Sequence, residues 1–211
     1  SHEGLVDILQ IGRNEREGYY YYVMELADDS APGQQIVPES YQPKTLGKEI
    51  STRGRLPFTE CLQLGMSLAT ALAHLHRHGL IHRDIKPSNI IFVNGIPKIA
   101  DIGLVAAADS SQSFVGTEGF IPPEGPGSAQ ADIFSFGKVL YEISTGQDRR
   151  TFPAPAAGRE QIRAEKEWLE FNEVIQKACA TDPLKRYQSA EEMQADLLVL
   201  QAGKSVKRLR L

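Results

Sequence analysis

The chain contains little cysteine and no long apolar segment. Its two cysteines, Cys61 and Cys179, lie far apart in apolar stretches, which predicts buried thiols in a reducing compartment and argues against a disulfide scaffold or a zinc site. No window approaches the roughly 18 consecutive apolar residues of a membrane-spanning helix, and the first residues lack the charged and apolar regions of a signal peptide. These absences favour a cytoplasmic chain.

The chain also lacks an excess of positive charge. Its 23 lysines and arginines are outnumbered by 27 aspartates and glutamates, so the formal net charge is -4. Because no overall positive field exists to attract nucleic acid, we expect no nucleic-acid partner. The one local basic run, residues 204–211, is typical of a solvated helix end, and the alternative is the cytosolic flank of a membrane span in a membrane-anchored protein. We expect membrane contact only through segments outside this chain.

Lysine is absent from the first part of the chain, where Lys44 is the first one, and no G-x-G-x-x-G run precedes it. Residues 5–11 and 19–26 are rich in β-branched and aromatic types, and the polar residues 12–18 between them are typical of a turn. This pattern predicts a β-hairpin whose tyrosine-rich edge is unpaired. Because a strand pattern begins almost at once, without an initiator methionine, we expect residue 1 to be a cut point in a longer protein.

The remaining residues predict a mostly helical domain with a small β insert. With 211 residues, 41% of them hydrophobic, the chain can bury one sizeable core. Residues 27–43 contain three prolines and no periodicity, which predicts a connector. The apolar pattern after the connector predicts a helix at 58–78, with a possible cap at Thr59. A hairpin of residues 90–93 and 96–100 and a long loop at 109–128 are predicted next. Three further helices are predicted at about 129–145, 160–180 and 189–201. The fold class is therefore α+β.

Five short motifs follow one another along the second part of the chain. His82-Arg83-Asp84 and Asn89 fit the pattern H-R-D-x-x-x-x-N, and Asp101-Ile-Gly begins twelve residues after Asn89. The other three are 116–124 (Gly-Thr-Glu-Gly-Phe-Ile-Pro-Pro-Glu), 132–137 (Asp-Ile-Phe-Ser-Phe-Gly) and 182–186 (Asp-Pro-Leu-Lys-Arg). Together they resemble the catalytic domain of a eukaryotic-type, bacterial-like serine/threonine protein kinase, truncated at its N-terminus. The resemblance implies a protein-kinase-like fold, mainly the helical C-terminal lobe plus the last hairpin and the hinge of the N-terminal lobe.

The resemblance also implies four catalytic residues. Asp84 would accept or orient the proton of a substrate hydroxyl, and Lys86 would direct its ammonium group toward the transferred phosphate. Asn89 and Asp101 would supply hard oxygen ligands to Mg²⁺, or Mn²⁺, bound to the phosphates of ATP. A lysine at position 86 resembles the serine/threonine class more than the tyrosine class, and Thr117 would then hydrogen-bond near Asp84 and Lys86.

Further roles follow from the same resemblance. Backbone groups of Glu25 and Ala27 in the hinge would bind adenine, with the Ile91 side chain beneath the ring and Lys86 near the phosphates. The activation loop holds candidate phosphorylation sites, with the three serines ranked above the threonine and simple solvation as the alternative: Ser110, Ser111, Ser113 and Thr117. Structural roles fall to residues that would shape or brace the loops: His82, Arg83, Glu124, Asp132 and Arg186.

The expected division of the chain follows these motifs. Residues 1–26 would be the remnant of the N-terminal lobe, 27–43 the hinge and linker, 44–203 the C-terminal lobe and 204–211 a basic tail. The expected function is transfer of the ATP γ-phosphate to protein hydroxyls; the alternative is a pseudokinase or scaffold lobe that binds proteins. A small-molecule kinase is disfavoured because residues 116–124 shape a protein-substrate groove in this family. Without a glycine-rich loop and its lysine, the chain alone should be almost inactive.

Overall fold

The computed structural model describes residues 2–31, 36–101, 106–107, 116–154 and 166–206, with the backbone alone at 106 and 107. The chain begins with an antiparallel hairpin of strands β1 (Ile8–Asn14) and β2 (Tyr19–Met24), in which Ile8 pairs with Met24 and Asn14 with Tyr19. The predicted hairpin is confirmed, although β1 lies three residues later than predicted. The segment before β1 runs beside a later strand, since the Val6 N–H donates to the Ile99 carbonyl over 3.0 Å.

The hairpin presents an apolar surface to solvent. Its strands pair only with each other among the described residues, and the tyrosines of β2 are exposed, Tyr20 to 73%. The unpaired tyrosine-rich edge predicted from the sequence is therefore present. Such an edge favours association with other strands, because its backbone groups and apolar side chains lack partners.

Helix α1 (Leu46–Arg53) was not predicted from the sequence. Thr45 caps it by accepting a hydrogen bond from the Lys48 N–H. Its apolar residues Leu46 and Ile50, one turn apart, pack against the core. The following helix α2 (Phe58–Arg77) agrees with the predicted one to within a residue, but Pro57 takes the N-cap position and the expected cap at Thr59 is wrong.

Four short strands flank the loop that carries the H-R-D motif. Strand β3 (Leu80–Ile81) pairs with β6 (Ala106–Ala107), and β4 (Ile90–Val93) pairs with β5 (Ile96–Ile99). The turn between β4 and β5 has φ angles of 52° at Asn94 and 76° at Gly95, the left-handed pair that a tight hairpin requires. The predicted second hairpin is confirmed.

In the described residues, three more α-helices follow: α3 (Ala129–Thr145), α4 (Lys166–Ala178) and α5 (Ala190–Gln201). They agree with the predicted helices, and the first residues of the predicted helix at 160–180 lie outside the described residues. Ser189 caps α5 by accepting a hydrogen bond from the Glu192 N–H. No helix in the described part of the chain is long and apolar enough to cross a bilayer.

Helix α3 is the centre of the core. Residues 131–144 of this helix are all buried; α2 and α4 pack against it, while α5 packs mainly on α2 and α4. Gly137 lets α3 and the end of α4 pack closely, because a Cβ at Gly137 would lie only 2.6 Å from the Cys179 sulfur. Burial raises the pKa of Cys61 and of Cys179 to about 12, so both thiols stay protonated at neutral pH. The prediction of buried, unbridged thiols is confirmed.

Candidate active site

The loop of residues 82–89, between β3 and β4, is anchored on the start of helix α3. The Asp132 carboxylate is 1% exposed and accepts hydrogen bonds from the N–H groups of His82 and Arg83, each 2.8 Å long. The φ angle of Arg83 is 71°, a strained conformation for a residue with a side chain, so this restraint is needed to maintain it. His76 of α2 supports the anchor, with Nε2 2.9 Å from Asp132 Oδ2.

Asp84 lies in this loop, 5% exposed, with three partners around its carboxylate. Thr117 Oγ1 donates to Oδ1 over 2.8 Å, while Asn89 Nδ2 donates to Oδ2 over 3.0 Å and Lys86 Nζ lies 2.6 Å from Oδ2. Burial raises the pKa of Asp84, but the hydrogen bonds from Lys86 and Thr117 outweigh burial and hold that pKa below its usual value. Asp84 is therefore a carboxylate at neutral pH.

Lys86, Thr117 and Asp84 form a closed ring of contacts. Lys86 Nζ donates to Thr117 Oγ1 over 2.8 Å, and the same threonine hydroxyl donates to Asp84. The ring joins two parts of the chain that are 33 residues apart, the loop at 82–89 and the segment at 116–124. The ammonium group of Lys86 and the carboxylate of Asp84 are thus held side by side.

Asn89 ends the loop in a one-turn 3-10 helix (Pro87–Asn89). Its Nδ2 donates both to the Asp84 carboxylate and, over 2.9 Å, to the Asp84 carbonyl, which uses both amide hydrogens. The side-chain oxygen of Asn89 is therefore left as an acceptor. The Ala100 N–H donates to the Asn89 carbonyl over 2.8 Å, which places the neighbouring Asp101 beside this loop.

Asp101 follows strand β5 in a left-handed conformation, with a φ angle of 60°. The hydroxyl of Tyr22, on strand β2 of the first hairpin, donates to Asp101 Oδ1 over 3.4 Å. Partial burial and the negative charge of Asp101 both raise the pKa of Tyr22. The hairpin and the helical part of the chain thus meet at this carboxylate.

The donor set suits a magnesium ion that is bound together with phosphates. No group of three or more His, Cys, Asp or Glu side chains able to hold a metal occurs in the described ranges. Mg²⁺ is usually held by one or two carboxylates plus the phosphates of a nucleotide, rather than by a full set of protein ligands. Asp101 and the side-chain oxygen of Asn89 fit that chemistry.

Glu124 and Arg186, both expected to brace the loops, form an ion pair in which Arg186 is buried and Glu124 lies at the surface. Both terminal nitrogens of Arg186 donate to the Glu124 carboxylate, Nη2 over 3.0 Å. Arg186 is 1% exposed, and it also donates to the carbonyls of Ala180, Gln130 and Thr181 over 2.5, 3.3 and 3.1 Å. This fork ties the end of the segment at 116–124 to the turn before helix α5.

Two of the predicted adenine-binding residues, Glu25 and Ala27, follow the hairpin directly, and the third, Ile91, lies on strand β4. The Glu25 carboxylate accepts from the Asp7 N–H over 2.8 Å and pairs with Lys98 Nζ at 2.5 Å. The Ala27 carbonyl accepts a hydrogen bond of 3.0 Å from the Tyr41 hydroxyl, which occupies one of its two lone pairs. Ile91 is buried in a small cluster with Val6, Ala27, Val93 and Ala100. A base at this site would share the Ala27 carbonyl with Tyr41.

Some predicted residues lie outside the described part of the chain, and some contacts were not predicted. Ser110, Ser111 and Ser113 fall within residues 108–115, which are not described, and Thr117 lies against Asp84. The contacts of His76 with Asp132 and of Tyr22 with Asp101 carry no sequence signal, because each joins residues that are 56 or 79 positions apart.

Comparison with known proteins agrees with this geometry. A model of the protein kinase domain matches residues 1–200. The serine/threonine-protein kinase PrkC of Bacillus subtilis is 31% identical over 218 residues, which cover 93% of this chain and 31% of that protein. The serine/threonine-protein kinase PknB of Mycobacterium leprae is 32% identical over 208 residues, 87% of this chain and 33% of that protein.

A probable serine/threonine-protein kinase of Clostridium perfringens is 30% identical over 217 residues, 93% of this chain and 29% of that protein. The chain thus spans about a third of the length of these relatives. Their names describe kinases, so the alternative of a binding-only lobe has no support from them. With a kinase-domain match over nearly its whole length, this chain belongs to the protein kinase family.

Proposed function

We propose that this chain carries the site that transfers the γ-phosphoryl group of ATP to serine or threonine hydroxyls of protein substrates. The observation that supports it most is the ring of Asp84, Lys86 and Thr117, with contacts of 2.6 to 2.8 Å. This ring holds a carboxylate and an ammonium group side by side, as phosphoryl transfer to a hydroxyl requires. In the reaction, the substrate oxygen forms a bond to the γ-phosphorus while the bond to the ADP oxygen breaks.

Asp84 acts mainly by orienting the substrate hydroxyl. Its pKa is held below the usual value by Lys86 and Thr117 despite burial, so it is a weak base in the ground state. Because the transition state of phosphoryl transfer is loose, the nucleophile needs little activation before the new bond forms. Asp84 therefore aligns the hydroxyl and takes its proton as the new oxygen–phosphorus bond develops.

Lys86 directly, and Asn89 and Asp101 through Mg²⁺, would balance the negative charge of the nucleotide. Lys86 is a compact cation beside Asp84, and it can follow the transferred phosphoryl group between ADP and the substrate. Asn89 and Asp101 would hold Mg²⁺ through oxygen atoms. When bound there, Mg²⁺ neutralises charge on the phosphates. Backbone groups of Glu25 and Ala27, with Ile91 beneath the ring, would bind the adenine.

The first test assays two proteins side by side, the chain of 211 residues and the product of its complete gene. With Mg²⁺, ATP and casein as a general acceptor, we expect the full-length product to form phosphoserine and phosphothreonine. We expect the 211-residue chain alone to bind ATP weakly and to transfer phosphate slowly or not at all, because it contains no G-x-G-x-x-G loop and no lysine before Lys44. Sustained turnover by the 211-residue chain would contradict this prediction.

Phosphorylation of the activation loop is a second expectation. Arg83 is adjacent to Asp84, so a phosphorylated Ser110, Ser111 or Ser113 that pairs with Arg83 would brace the catalytic loop. Changing all three serines to alanine should lower the activity of the full-length product several-fold, measured as the initial rate. Changing Ser51, an exposed serine on α1, to alanine is the control. Equal rates for the triple variant and the wild type would show that these serines only solvate the loop.

A further inference from the structure

We infer that Arg149 is a positioning residue for the protein substrate, because it holds the segment 117–120 in place against the catalytic loop. The inference rests on the proposed kinase function and deepens it. Arg149 begins a one-turn 3-10 helix (Arg149–Thr151) just after helix α3, and it belongs to none of the five motifs that carry the family resemblance.

The side chain of Arg149 contacts this segment in two ways. Its Nε donates a hydrogen bond of 3.0 Å to the Glu118 carbonyl, and its guanidinium group lies 4.5 Å from the centre of the Phe120 ring. The segment itself is a tight turn, since the Phe120 N–H donates to the Thr117 carbonyl over 3.1 Å. Arg149 therefore holds both the backbone and a buried side chain of the turn that carries Thr117.

Arg149 is itself fixed by two buried charged residues of helix α3. Its N–H donates to Glu142 Oε1 over 3.0 Å, and Nη1 lies 3.4 Å from the same oxygen. Lys138 Nζ donates to the Arg149 carbonyl over 3.2 Å. Lys138 is only 8% exposed, and burial lowers its pKa. Burying a lysine and a glutamate in an apolar helix is costly, and here both side chains serve to fix Arg149.

Gly119 supplies an independent indication of the same contact. Its φ angle is 84°, and a Cβ added there would lie 2.9 Å from Arg149 Cγ, 3.1 Å from Arg149 Nε and 3.2 Å from Arg150 Cγ. A side chain at position 119 would therefore strain the backbone and displace Arg149. The turn and the arginine are packed as closely as a glycine allows.

The contacts lead from helix α3 to the catalytic carboxylate. Glu142 and Lys138 fix Arg149, Arg149 holds the turn, and Thr117 at the start of the turn donates to Asp84. If Arg149 is shortened, the turn should loosen and bind a protein substrate less well. ATP is held by other residues in the proposed mechanism, so its binding should be unaffected.

The test uses Arg149→Ala and Arg149→Lys in the full-length gene product, with Arg150→Ala as the matched control. Arg150 is a neighbouring arginine whose guanidinium group pairs with Asp148 at 2.8 Å. We expect Arg149→Ala to raise KM for casein about tenfold or more, as the loss of a charged hydrogen bond implies, and to leave KM for ATP within about twofold. Arg149→Lys should raise KM for casein less than Arg149→Ala does, since lysine keeps the positive charge but lacks the planar fork of arginine. Arg150→Ala should change neither constant.

Hydrogen–deuterium exchange in the same proteins gives a readout that needs no catalysis. We expect the amide hydrogens of residues 118–120 to exchange faster in Arg149→Ala than in the wild type or in Arg150→Ala. Unchanged exchange, or an equal rise of KM for ATP and for casein, would overturn the inference. If the wild type phosphorylates no protein at all, the proposed function fails, and exchange alone then decides whether Arg149 holds the turn.

Discussion

Replacing Asp84 by asparagine is expected to lower the rate of phosphoryl transfer by roughly 10²–10⁴-fold, the usual contribution of a general base. The Asp84 carboxylate accepts from Thr117 and Asn89 and lies 2.6 Å from Lys86 Nζ, so all of its neighbours are donors. An amide presents its own N–H groups to at least one of them and cannot take a proton from a substrate. Steady-state kinetics of the full-length gene product should show a fall in kcat with little change in KM for ATP.

A charge-matched control separates this effect from a general change in charge. Glu39→Gln also removes one negative charge, at an exposed position in the connector, and should leave kcat unchanged. Circular dichroism of both variants should match the wild type, since each change keeps the shape of the side chain. An Asp84→Asn variant that folds normally and retains wild-type kcat would exclude Asp84 from the role proposed for it.

Replacing Arg186 by alanine is expected to destabilise the domain by about 3–5 kcal/mol, the range for truncating a large buried side chain to alanine, because its packing and its hydrogen bonds are lost together. The guanidinium group donates to both oxygens of Glu124 and to three backbone carbonyls, and it lies 4.8 Å from the centre of the Phe134 ring. Its removal leaves a cavity and unsatisfied acceptors. Because each kcal/mol shifts Tm by roughly 2–4 °C at this size, thermal unfolding should begin about 6–20 °C lower.

Lys185→Ala provides the control for the thermal measurement. Lys185 precedes Arg186 in the chain, carries the same charge and is exposed to solvent. Its replacement should leave Tm nearly unchanged, because exposed charges contribute little to stability. A Tm for Arg186→Ala equal to that of Lys185→Ala would mean that the ion pair with Glu124 does not support the fold.

The parts of the fold that depend on local pattern were predictable. The period of apolar residues predicted helix α2, and Asn94-Gly95 predicted the hairpin of β4 and β5, where both residues have positive φ angles. Helix α1 was missed because it has only eight residues, and so short a helix shows too few apolar repeats to be detected. Its stability comes from packing of Leu46 and Ile50 rather than from its own sequence.

The candidate site was predictable where motif spacing specifies it, and not where distant residues meet. The H-R-D segment and Asn89 identified the loop, and Asp101 follows at a fixed spacing. The pairing of Glu25 with Lys98 joins residues 73 positions apart, and that of His76 with Asp132 joins residues 56 positions apart. Such contacts depend on how helices and strands pack in three dimensions, which a single sequence does not specify.

The most direct test of the proposed function is transfer of labelled phosphate from ATP that carries ¹⁸O in its γ-phosphoryl group. The full-length gene product is incubated with this ATP, Mg²⁺ and casein, and the labelled phosphate is located by mass spectrometry. We predict label on serine and threonine residues of the acceptor with the wild type, and its near absence with Asp84→Asn. Label found only on tyrosine, only in free phosphate, or to an equal extent with both proteins would contradict the assignment of this chain as a serine/threonine kinase site that acts through Asp84.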